Sequence, residues 1–200
     1  MTIDQYPFSK KEFERLVRQM IEKERLSFVK AVYRMSDGLT EHWRNDQKEI
    51  TPACQKGCSF CCNQIATCTA IEWEEIVLFV KRKIKFFRKR LHKTRGKWLL
   101  YLERNDHKLL NNPERVLNDW RDKPCVFLGG KGDCLIYEVR PLQCRTLDSA
   151  KACESWRQSE VRKYKFLWEG FAYIILEEEQ ERLGKKGEGG SLINLASQMK

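Results

Sequence analysis

Four of the nine cysteines in this 200-residue chain fall within nine positions, in CQKGCSFCC from Cys54 to Cys62, and three more stand as Cys125, Cys134 and Cys144 in PCVFLGGKGDCLIYEVRPLQCR. Thiolates repel one another, and a zinc ion or an iron–sulfur cluster offsets that repulsion where an apolar core does not. A fold that gathers these sulfurs is constrained by them before any helix is considered. The competing use of paired cysteines is a disulfide framework. The amino terminus, MTIDQYPFSKKEFERL, has no basic region leading into an apolar core, and no stretch approaches the roughly 18 apolar residues of a membrane span. A cytoplasmic chain is therefore expected, and in a reducing compartment crowded thiols point to metal or redox chemistry rather than to disulfides.

The rest of the chain reads as helix. Ser9 with Glu12 forms a capping box, Phe8 and Phe13 a hydrophobic staple across it, and Phe13, Leu16, Val17, Met20 and Ile21 recur at helical spacing. Phe28, Val29, Val32 and Tyr33 resume the stripe until Ser36, Asp37 and Gly38 weaken it. Thr69 with Glu72 makes a second capping box, opening a helix expected to carry Trp73, Ile76, Val80, Ile84, Phe87 and Leu91 on one face and to stop near Gly96. A further helical stretch from Lys97 to Leu110 leads to the turn signal NNPE at 111–114. Cys125 to Leu128 and Cys134 to Glu138 flank GGKGD and read as a β-hairpin, which Pro141 cuts short and turns back toward Cys144. A last helix spans about Ser155 to Leu183, with Trp156, Tyr164, Leu167, Trp168, Phe171, Ile174, Ile175 and Leu183 as burial candidates, and GKKGEGG after it has the composition of a flexible tail.

The expected fold class is therefore mainly α with a small β-hairpin, a metal-stabilised α+β arrangement in which long helices frame a cysteine-rich site. One compact domain is expected, divided into an N-terminal helical segment (1–50), a cysteine-cluster region (52–156), a C-terminal helix (157–184) and a tail (185–200).

Within the first motif, Cys54, Cys58 and Cys61 have the spacing C-x3-C-x2-C, which looks like the cluster motif of radical S-adenosylmethionine enzymes. The barrel of those enzymes requires alternating strands and helices that this chain does not offer. The fuller pattern, C-x3-C-x2-C-C followed by P-C-x8-C-x-I-Y-x-x-R-P-x-x-C-R, resembles the YkgJ-type cysteine-cluster proteins, described as zinc- or iron-chelating domains. Its elements here are Cys54, Cys58, Cys61 and Cys62, then Pro124, Cys125, Cys134, Ile136, Tyr137, Arg140, Pro141, Cys144 and Arg145. The resemblance covers about Pro52 to Trp156 and implies a bound metal. The related flagellin lysine N-methylase, which carries an iron–sulfur cluster, extends the implied chemistry to redox or methyl transfer.

The metal ligands expected are Cys54, Cys58, Cys61, Cys62, Cys125, Cys134 and Cys144, with Cys153 available as an eighth. One tetrahedral zinc or one four-iron cluster needs only four protein ligands. The vicinal Cys61–Cys62 pair and the surplus thiols tilt the choice toward iron–sulfur, while cysteines on a hairpin also suit zinc. Cys68 reads as a buried core thiol. Arg140 and Arg145 have two open roles, donating to sulfur or substrate anions, or pairing with carboxylates such as Glu138 and Asp148. His42, His92 and His107 show no ligand spacing, and no residue is assigned a catalytic role.

The net charge of +10 is concentrated in Lys81 to Lys97, which holds ten Lys or Arg and no acid. A solvated helix face explains such a run, and an acidic protein or nucleic acid, RNA in particular, is the partner it would suit. The alternative function is thus a zinc-stabilised binding module that presents this basic helix.

Overall fold

The computed structural model describes residues 9–46, 57–105, 116, 119–120, 123–147, 153 and 167–199. Its helices in chain order are α1 (Lys10–Glu24), α2 (Phe28–Asp46), α3 (Ala70–Arg82), α4 (Ile84–Arg104), the single turn α5 (Leu142–Arg145), α6 (Leu167–Arg182) and α7 (Leu192–Ser197). Two short strands, β1 (Thr67–Cys68) and β2 (Gly190–Ser191), pair antiparallel. The fold is mainly α with a small antiparallel β element, as expected.

The helix starts follow their caps. Ser9 Oγ accepts from the Glu12 amide at 3.2 Å, and the Thr69 box is complete: its hydroxyl takes the Glu72 amide while Glu72 takes the Thr69 amide at 2.8 Å. The staple residue Phe8 and the NNPE turn lie outside the described residues. The interior breaks differ from expectation. α2 runs unbroken through Ser36, Asp37 and Gly38, because Ser36 is buried in the packed face and Thr40 Oγ1 bonds back to the Ser36 carbonyl at 2.9 Å. The α3–α4 break falls at Lys83 rather than Gly96. A mid-helix glycine costs only about 1 kcal/mol, and α4 is held past it by Trp98, fully buried, whose Nε1 donates to Asn194 Oδ1 at 3.2 Å.

That last contact marks a second difference. The tail expected at 185–200 instead supplies β2 and α7, with Leu192, Ile193, Leu195 and Ala196 buried against α4. The Leu192 amide donates to the Ala66 carbonyl at 2.8 Å. Four apolar residues in six offset the ordering entropy that the preceding glycines impose. On α6 the buried apolar residues are Trp168, Ala172, Ile175 and Leu176, while Leu167 and Ile174, and Leu183 just past its end, face out, so the apolar stripe there is narrower than the composition implies.

The apolar residues form two cores. One joins α1, α2 and α6 through Phe13, Val17, Val32, Trp43, Trp168 and Ile175. The other joins α3, α4, α7 and the 125–139 region through Ile76, Phe87, Trp98, Trp120, Phe127 and Ile136. Glu72 stands between them, 2 % exposed. Its Oε1 accepts from the Tyr33 hydroxyl (3.0 Å) and the Leu142 amide (2.7 Å), and its Oε2 from the Thr69 amide and hydroxyl (2.8 and 3.0 Å). Four donors fill the acceptor capacity of a carboxylate that burial would otherwise make costly. Burial, then the Glu72 carboxylate, hold the Tyr33 hydroxyl well above the usual phenol range, so it stays a donor.

Glu72→Gln keeps the shape but sets an amide NH2 against existing donors. It is expected to lower unfolding stability by about 2–4 kcal/mol, read as a shift of the urea midpoint, whereas Glu177→Gln on the exposed face of α6 is expected to stay within about 0.5 kcal/mol.

Candidate metal centre

Two loops deliver the cysteines. Gly57, with φ +98, makes the turn expected ahead of Cys58, and Phe60–Asn63 closes into one 3-10 turn that carries Cys61 and Cys62. The Cys125 amide donates to the Cys62 carbonyl at 2.7 Å, so the backbone joins the two motifs directly. The hairpin expected after Cys125 is present in reduced form: a single Leu128–Cys134 bridge, with Leu135 N–H to Phe127 O at 2.9 Å. Its tip leans on the first loop. Gly132 has φ +78, and a Cβ there would lie 3.3 Å from Ser59 Oγ. A second 3-10 turn, Tyr137–Val139, then leads through Pro141 into α5, which bears Cys144. Gln143 beside it accepts from the Thr67 amide (2.5 Å) and hydroxyl (2.9 Å), tying α5 to β1.

The outcome is one pocket lined by Cys58, Cys61, Cys62, Cys125, Cys134 and Cys144, with a cavity of about 80 Å³. Cys68 and Cys153 do not line it, and Cys54 lies outside the described residues. Cys68 is a buried core thiol on β1, as expected. Among the described residues no two cysteines are joined in a disulfide. Among the described residues, no three His, Cys, Asp or Glu side chains converge closely enough to hold a metal ion. Six thiols thus share a pocket without meeting at a point.

Their environment is that of sulfurs held close in a poor solvent for charge. A hydrogen bond between the Cys61 and Cys62 thiols, followed by burial and by the charges of Cys61, Cys125 and Cys134, pushes the Cys62 thiol far up. Burial pushes Cys125 up to about 11, and burial then Cys125 and Cys61 push Cys144 well above the usual thiol range. Two backbone amides oppose this. The Phe127 N–H points at Cys125 Sγ at 3.4 Å, and the Ile136 N–H bonds Cys134, whose pKa burial nonetheless raises. Amides aimed at sulfur favour thiolate.

The two arginines part company. Arg145 takes the carboxylate role, though with Asp37 (2.5 Å) rather than Glu138, and it also donates to the carbonyls of Arg140 (2.9 Å) and Glu138. Its guanidinium lies 4.0 Å over the Tyr33 ring. Arg140 faces the pocket, stacked 3.9 Å from the Tyr137 ring, and its buried Nε has no hydrogen-bond partner among the described residues. Its charge lowers the pKa of Cys134 and Cys144. Asp148 lies outside the described residues.

A family model described as "CxxCxxCC: Putative zinc- or iron-chelating domain" matches residues 53–167, more than half of the chain. The chain belongs to this family. No curated protein and no solved structure matches it. The donor chemistry of the pocket fits the soft or borderline metal that the family description names: thiols in excess, amides directed at two sulfurs, and an unmatched guanidinium nitrogen to balance thiolate charge. The family pattern spans both loops, and the Glu72 bond to Leu142 and the Cys62 bond to Cys125 are what set those loops side by side.

The hairpin tip is expected to be sensitive. Gly132→Ala combines a left-handed backbone with a tight contact and is expected to cost about 1–2 kcal/mol, seen as a lowered denaturation midpoint, while Gly130→Ala, with no atom within 4 Å of its Cβ, is expected to be near neutral.

Proposed function

We propose that this protein binds a thiolate-ligated metal centre, an iron–sulfur cluster in preference to zinc, with ligands drawn from Cys54, Cys58, Cys61, Cys62, Cys125, Cys134 and Cys144 and with Cys153 in reserve. The observation that carries the reading is the single pocket lined by six thiols from both motifs. A cluster or a zinc ion takes four protein ligands, so the set contains more sulfur than one centre uses. That surplus and the vicinal Cys61–Cys62 pair favour iron–sulfur and leave a thiol for exchange. An iron–sulfur cluster supplies one-electron exchange when bound. The chain's own contribution is to hold sulfur in a water-poor pocket, to direct the Phe127 and Ile136 amides at two sulfurs, and to place the Arg140 charge beside them. Each of these tunes the charge a centre would carry. Methyl transfer, and the likeness to flagellin lysine N-methylase behind it, rests on the cysteine pattern alone.

A second reading, a surface for a polyanion, is favoured by a separate observation. Lys89, Lys93 and Lys97 line one groove of α4 and form no ion pair with the described residues. No described helix is long and apolar enough to cross a membrane.

Protein purified without oxygen is expected to show a broad visible band and to contain iron with matching acid-labile sulfide, and Cys68→Ala is expected to leave both unchanged because that thiol belongs to the core. Stoichiometric zinc without sulfide would replace the cluster by a structural ion, and the absence of both metals from freshly prepared protein would overturn the reading.

A further inference from the structure

A cavity of about 850 Å³ lies beside the thiol pocket, with Cys125 lining both. One wall is a single stripe of α4 from Phe86 to Arg104, and the other is formed by Trp120, Lys123, Pro124 and Cys125. At 1.5 Å per residue the stripe is about 27 Å long, too extended for a compact small molecule. Lys89, Lys93 and Lys97 recur every fourth residue, so their ammonium groups rise along the groove in steps of about 6 Å. Arg104 continues the line, and no ion pair among the described residues neutralises any of the four. Arg90 is engaged by the Leu128 carbonyl and serves the fold.

Charge alone would suit any polyanion, but the groove is also aromatic and mostly apolar. Phe86 is 66 % exposed, yet its ring is fixed edge-on against Phe87 at 5.3 Å, which is itself set against Phe127 at 6.0 Å. At the other end Tyr101 is stacked on the buried Trp98 (5.4 Å, 26°) and set edge-on to Trp120 (5.2 Å), with Lys123 4.4 Å over the Trp120 ring. The nearby acid, Asp119, accepts from the Tyr101 hydroxyl at 3.0 Å. The rings are therefore held rigidly before any ligand arrives. A ladder of cations that tracks a backbone, with flat rings at intervals for bases, is the arrangement by which proteins hold single strands. A duplex keeps its bases inside the helix and offers them no face to stack on, and an acidic peptide brings no bases at all.

We propose that this groove binds single-stranded RNA, with phosphates along Lys89, Lys93, Lys97 and Arg104 and a base on Phe86 and another on the Tyr101 end. The proposal rests on the second reading above and names the polyanion.

Fluorescence anisotropy of the full chain with a labelled oligouridylate of about ten nucleotides tests it, beside a duplex RNA of equal length, heparin and polyglutamate. Single-stranded RNA is expected to bind tightest. Lys93→Ala with Lys97→Ala is expected to weaken every polyanion and to flatten the salt dependence by about 0.7 in log–log slope per lost phosphate contact. Phe86→Ala, at an exposed position and checked by its circular dichroism, is expected to weaken single-stranded RNA about tenfold and to leave heparin and polyglutamate unchanged. Equal binding of single strand and duplex with no effect of Phe86→Ala would overturn the single-strand proposal while sparing the polyanion surface. No binding of any of the four probes at low salt would overturn both.

Discussion

The buried carboxylate of Glu72 is the constraint on which the rest of the arrangement depends. A charge taken out of water must be fully hydrogen-bonded, and here the donors come from three separate parts of the chain: Tyr33 in α2, Thr69 at the head of α3, and Leu142 at the start of α5. Satisfying one side chain therefore fixes the distance between both hydrophobic cores and the turn that carries Cys144. Arg145 adds a second clasp over the same ring of Tyr33, bonded to Asp37 and to two carbonyls of its own loop.

The cysteine loops inherit their positions from this frame. Neither has enough regular structure to place itself: one is a single 3-10 turn, the other a hairpin with one bridge. What brings them together is a backbone bond from Cys125 to Cys62, the lean of Gly132 on Ser59, and the anchoring of α5 through Glu72 and Gln143. Burial pushes the acidity of these thiols down; the Phe127 amide and Arg90 act in the other direction at Cys125, the Ile136 amide and Arg145 at Cys134, and Arg140 at both Cys134 and Cys144. A cation would reverse that balance, since thiolate is its ligand.

Local chemistry was legible in the sequence and long-range chemistry was not. The caps at Ser9 and Thr69, the turn at Gly57 and the core thiol Cys68 could all be read from residue type and spacing, and both motifs together resembled one family. The Thr69–Glu72 pattern announced a capping box, but the box uses only one carboxylate oxygen, and nothing in the sequence tells that the other meets Tyr33 and Leu142, 39 and 70 residues away. Gly96 looked like a stop because propensity was weighed without Trp98, whose burial against α7 carries the helix onward. The glycine-rich 184–190 stretch hid the apolar LINLA that follows it. The basic run at 81–97 was visible as charge, while the facing wall of Trp120 and Lys123 that turns it into a groove was not.

The central claim is that the two distant cysteine motifs build one site rather than two. Metal and sulfide content per chain, measured separately for Cys58→Ser and Cys134→Ser in protein prepared without oxygen, tests it most directly. A shared site predicts that either substitution alone strips or sharply lowers the same metal. Full occupancy retained in either variant would contradict the claim.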